Sequence, residues 1–192
     1  METLLAAGTG AGLSSVAGLR AYLPLALVGL FARLGLFDLP EPFSFLDSWV
    51  VVVALLVLAL VESVLDKIPA LDTAVDVVQT PVRVVAGAIL FAAAFGAGLD
   101  PGSIPELAAG GVLAGGVAGL KAVLRPPPNV AAAGVSAPFL SGLEDVVAFV
   151  GGIVALLVPL VSLLLVGFLL FVYYRIRKRR GRKYGGLRIL GD

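Results

Sequence analysis

Three stretches without a charged side chain set the terms on which this chain can fold: 49–61, 84–98 and 146–174, the last 29 residues long. A helix rising 1.5 Å per residue crosses about 30 Å of hydrocarbon in about 20 residues. Runs of this length belong in lipid or in the core of something large. The chain has 192 residues, is 59% hydrophobic and has a mean hydropathy of +1.06. A soluble domain of that size cannot cover so much apolar surface. The pattern therefore predicts an all-α membrane helix bundle forming one domain (1–174), followed by a basic tail (175–192).

About five crossings are expected, near 4–37, 46–66, 78–98, 107–124 and 146–174. The first is too long for one straight span and carries Arg20 with Pro24 four residues on, so it is either strongly tilted or broken there. Pro81 interrupts the third, and Tyr173–Tyr174 close the fifth as interfacial residues do. The N-terminus METLLAAGTG lacks a basic region, which argues against a cleaved signal peptide.

Eight of the fourteen Lys and Arg residues lie in the tail YYRIRKRRGRKYGGLRILGD, leaving six bases against twelve acids before it. A basic cluster after an apolar helix is a positive-inside anchor, which predicts a cytoplasmic C-terminus in the cell membrane. It also suits anionic lipid headgroups; no nucleic-acid partner is expected.

At an offset of 101 residues, GAGLSSVAGLRA (10–21) lies over GVLAGGVAGLKA (111–122), with six of twelve positions identical. Gly10, Ser14 and Gly18 fall on Gly111, Gly115 and Gly119, small residues four apart that line one helix face and permit close packing. Arg20 falls on Lys121. ALLV (54–57) falls on ALLV (155–158) at the same offset. With the first segment counted as one crossing, the two copies (4–60 and 105–161) enter the membrane in opposite senses. The expectation is a partial inverted-topology repeat, whose substrate site would sit between the halves.

Five crossings and a cytoplasmic C-terminus put Lys67, Arg83, Lys121 and Arg125 on outer links, against the positive-inside rule. Either the first segment crosses twice, or these cations lie inside the protein. The second reading is preferred. Charges at depth are costly and face an interior where they pair. The densest cluster, ESVLDKIPALDTAVDVVQTPVR (62–83), supplies partners: Asp72, Asp76, Gln79 and Arg83 share one helical face. One polar network is predicted from Arg20, Glu62, Asp66, Lys67, Asp72, Asp76, Arg83, Lys121, Arg125, Glu144 and Asp145.

With no cysteine and no histidine, the chain has no disulfide, thiolate, imidazole base or usual zinc ligand. Ser14–Ser15 lack a nucleophile-elbow context, and the glycine runs lack the lysine of a phosphate loop. The acids do not follow the spacing of aspartate-rich lipid transferases. Asp72 and Asp76 could hold Mg²⁺ or Ca²⁺ through oxygen, but acids four apart on helices are common. No cofactor is expected.

GLRAYLPL (18–25), ESVLDKIPALDTAVDVVQTPVRVVAGAIL (62–90) and LSGLEDVVA (140–148) together resemble the "domain of unknown function 4126" family of bacterial multi-pass membrane proteins. The resemblance implies that Glu62, Asp66, Lys67, Pro69, Asp72, Asp76 and Arg83 are family hallmarks; it implies no activity. The functional expectation is a small transporter or channel-like protein for an ion, small solute or lipid headgroup, with homo-oligomerisation through the glycine faces. The alternatives are a membrane-embedded enzyme acting on a lipid or phosphorylated substrate through an acid pair and Mg²⁺, and a structural or assembly protein.

Overall fold

A computed structural model of the chain describes residues 1–67, 69–124, 137–168, 171 and 175; side chains at 69–75, 77, 124, 137, 138 and 140 are outside that description. Seven α-helices and two short 3₁₀ turns make up the described fold: α1 (Glu2–Leu19), α2 (Tyr22–Arg33), α3 (Trp49–Leu65), α4 (Pro69–Ala94), α5 (Ile104–Leu124), α6 (Ala137–Leu157) and α7 (Pro159–Phe168). Among the described residues there is no strand. The expected all-α bundle is what is observed.

The first expected segment breaks rather than tilts. Arg20 is extended (φ −139°, ψ 116°) and ends α1. Pro24 then falls in the first turn of α2, where a missing N–H costs nothing. Ala21 at the head of α2 meets Glu62 near the end of α3, while Gly29 lies against Val52 near its start and Leu46 in the turn before it. So α2 runs back alongside α3. The chain makes one more pass than expected.

That extra pass changes the parity of the repeat. Gly10 packs on Phe91 and Ser14 donates to the Gly87 carbonyl, so α1 runs antiparallel to α4. Gly110 lies against Gly87 and Phe91, and Gly111 and Gly115 against Val84, so α5 is antiparallel to α4 as well. Helices α1 and α5 therefore run in the same direction, and the repeat is not inverted. The ALLV match falls on α3 and α6. Arg20 faces Ser141 while Gly12 faces Ala155, which sets α6 against the direction of α1 and hence of α3. The two matches do not belong to one duplicated unit.

The small-residue faces pack unevenly. Gly18 abuts the Ala114 carbonyl, but Gly119 has nothing within 4 Å. The closest helix approach on α5 is one residue off the expected stripe. A Cβ at Gly110 would stand 2.3 Å from the Gly87 oxygen, and one at Gly87 2.4 Å from the Ala114 side chain. Only glycine permits α4 and α5 to meet this closely.

The long final run is also interrupted, at Val158, where Pro159 begins α7. Among the described residues one helical stretch, Pro101–Val123, is by itself long and apolar enough to cross a membrane; Tyr22–Arg33, Trp49–Leu65, Val78–Ala94 and Pro159–Phe168 are apolar but shorter. The outward faces are greasy nonetheless. Val50, Val53, Val57, Leu60 and Val64 on α3 are exposed, as are Val146, Val150, Leu164 and Phe168 on α6 and α7. Such contiguous apolar surface is far more than isolated exposed leucines would give.

Candidate functional site

Where α1 ends, five helices bring charged side chains to one place. Because Arg20 leaves the helical conformation, its side chain turns into the bundle, where it is 2% exposed. Its Nη1 lies 2.5 Å from Asp66 Oδ2, and its Nη2 lies 2.8 Å from Asp145 Oδ1 and 3.0 Å from the Ser141 hydroxyl. Asp66 follows the last turn of α3 and is fully buried; Ser141 and Asp145 are i, i+4 on α6.

Lys121, in the last turn of α5, links the two sides. Its Nζ is 2.8 Å from Glu144 Oε2, 3.4 Å from Asp66 Oδ2 and 3.4 Å from Asp76 Oδ1. It also donates to the Leu19 carbonyl at the frayed end of α1. Glu144 and Asp145 are adjacent on a helix and so point about 100° apart, which lets each reach a different base.

On α4, Arg83 is 1% exposed and its Nη2 reaches Asp76 Oδ1 at 2.8 Å, Gln79 Oε1 at 3.0 Å and Glu62 Oε1 at 3.4 Å. Pro81 sits between Asp76 and Arg83, inside the helix. It offers no N–H, and the Thr80 hydroxyl bonds back to the Asp76 carbonyl at 2.7 Å. Both features loosen the ladder at the level of the charges. Glu62 accepts from the Ala21 N–H at 3.3 Å, which ties α3 to the α1–α2 break. At the rim, Ser63 donates to Asp145 and Lys67, 44% exposed, lies 3.5 Å from the same carboxylate.

Nine of the eleven predicted network residues are thus joined by ion pairs: Arg20, Glu62, Asp66, Lys67, Asp76, Arg83, Lys121, Glu144 and Asp145. The Asp72 side chain and Arg125 lie outside the described residues, as does the basic tail from residue 176. Ser63 and Ser141 were not anticipated. Their i, i+4 spacing to Lys67 and Asp145 was the available signal. Among the described residues no group of three or more acidic side chains is disposed to hold a metal.

A second feature occupies the other end of the bundle. A cavity of about 600 Å³ is lined by Leu5, Leu13, Val28, Leu90 and Leu156, with Glu2 and Asp38 exposed at its edge. Leu13, Val28 and Leu90 form its buried floor. Leu13 precedes Arg20 by seven residues and Leu90 follows Arg83 by seven, which at 1.5 Å each sets floor and network about 10 Å apart. Between them lie Ala17, Ala21 and Ala86, all buried in one apolar cluster.

Residues 7–179 match the family described as Domain of unknown function (DUF4126). No curated protein and no solved structure matches the chain.

Proposed function

The chain belongs to the DUF4126 family, and from that premise we propose that it is an integral membrane protein that moves an ion or small polar solute across the bilayer. The observation that carries this reading is a dense, largely buried charge network at a broken helix, with a cavity toward the other end of the bundle and the buried Ala17, Ala21 and Ala86 between them. Broken helices beside buried ionisable groups are where membrane transporters place their sites.

The exposed apolar faces of α3, α6 and α7 support burial in lipid. The cavity end carries exposed Arg33 beside Trp49, and α7 lies beside the first turns of α1 there, Ser162 donating to the Gly8 carbonyl. This end is the cytoplasmic one in our reading, with the tail against anionic headgroups. Homo-oligomerisation remains part of the proposal: Gly116 and Gly119 leave an unfilled face on α5.

The full chain in proteoliposomes is the test, with H⁺, Na⁺ and K⁺ flux followed under an imposed potential. Flux above that of empty vesicles is expected, lost in Arg83→Gln and Asp66→Asn while both variants stay folded. Wild-type flux no greater than empty vesicles for all three ions, together with a divalent-dependent thermal shift lost in Asp76→Ala, would replace transport with the lipid-enzyme reading.

A further inference from the structure

Among the described residues the charges of the network do not balance. Among the described residues, three buried bases (Arg20, Arg83 and Lys121) face four carboxylates (Glu62, Asp66, Asp76 and Glu144), and the rim adds one of each in Lys67 and Asp145. The described set therefore holds one more carboxylate than bases. An uncompensated negative charge in a dry interior is costly, and such a group neutralises instead.

Geometry selects the carboxylate. Asp66 has a guanidinium at 2.5 Å, and Asp76, Glu144 and Asp145 each have a cation at 2.8 Å. Among the described residues Glu62 has none nearer than Arg83 at 3.4 Å, and that guanidinium is closer to Asp76 and Gln79. Attraction falls with separation, so Glu62 is the carboxylate least held in its charged form. It is 1% exposed, and among the described residues its Oε2 makes no hydrogen bond. Around it stand the Ala21 N–H at the head of α2, Arg20 from α1, Asp66 on its own helix and Arg83 with Asp76 from α4. Lys121 on α5 and Glu144 and Asp145 on α6 complete the network one contact further out.

We propose that Glu62 is a proton-binding site, the carboxylate taking up one proton at Oε2 to become a neutral carboxyl, so that the ion handled by the network is H⁺. The inference rests on the transport reading for its role, but not for its detection. Binding brings the described network to charge balance; release leaves it one negative charge in excess. Either change would be felt by Arg83, and through Asp76 by Lys121.

Infrared spectroscopy of the purified full chain in detergent tests this. At neutral pH the wild type should show the C=O stretch of a buried protonated carboxyl, which disappears on alkaline titration. Glu62→Gln, a neutral isostere, should fold normally and lack the band, while Asp100→Asn, at an exposed loop, should keep it. A wild type without the band, or a band that survives Glu62→Gln, overturns the proposal, and the wild-type titration needs no variant to fold. A band lost in Glu62→Gln supports the proton site even where proteoliposomes show no flux, so failure of the transport reading is recognisable separately.

Discussion

Arg20 and Arg33 bracket the same short helix, α2, and their surroundings could hardly differ more. Arg20 is buried between two carboxylates, with Asp66 and Asp145 within 2.8 Å of its guanidinium. Arg33 is exposed and stands 5.8 Å over the Trp49 ring at the cavity end. At one end of the bundle the arginine is buried among carboxylates, and at the other it is exposed. The difference shows that position relative to the helix break decides what a cation does here. A buried ion pair is weak evidence of stability, because desolvation opposes the attraction, yet removing one partner strands the other.

The largest expected effect follows from that. Arg20→Met leaves Asp66 and Asp145 without their closest base and should cost about 3–5 kcal/mol, read as a lower midpoint in thermal unfolding of the detergent-solubilised chain. Adding Asp66→Asn should recover part of the loss. An Arg20→Met midpoint no lower than that of Arg33→Ala would erase the contrast between the two ends. Arg33→Ala itself removes a cation–π contact at an exposed site, a loss of about 0.5–1 kcal/mol, checked by the same melt alongside Trp49→Leu.

The smallest effect concerns two aspartates. Asp66 is buried in the network, whereas Asp100, in the loop after α4, is exposed and caps a 3₁₀ turn. The Ser103 hydroxyl, and after it the Gly102 N–H, hold the Asp100 carboxyl below the usual carboxylate range. A carboxylate whose folded value is depressed contributes stability above the unfolded value of about 3.9, and that contribution is lost as pH falls through the folded value. Melts of wild type and Asp100→Ala should differ slightly at neutral pH and converge in acid. A gap that stays constant with pH would mean that the loop, not the charge, matters.

Much of this was legible in the residues. Charges set between apolar runs have few places to go, so the network could be assembled from Arg20, the 62–83 stripe, Lys121 and Glu144–Asp145 before any fold was known. Which base takes which acid was not readable, because a one-turn difference in helix register reassigns every pair. The direction of the repeat turned on a single event at Arg20: tilt and reversal look alike in a run of apolar residues, and only reversal makes α1 parallel to α5. The break at Val158 hid inside an uncharged run, where Pro159 was the available signal. Phase was lost by one residue on α5, since Gly110 and Gly111 are indistinguishable by composition. The cavity had no sequence signature at all.

The meeting of Gly87 with Gly110 has a consequence for how this chain can drift. Every missense change of a glycine codon introduces at least a methyl or hydroxymethyl group, and at 2.3 Å from a carbonyl oxygen neither fits. Overpacking of this kind costs about 1–3 kcal/mol. The helices carrying Arg83 and Lys121 would move apart before either charge was altered. Neutral wandering is therefore open to the exposed valines of α3 and closed at these two positions, where variants would be purged for their geometry alone.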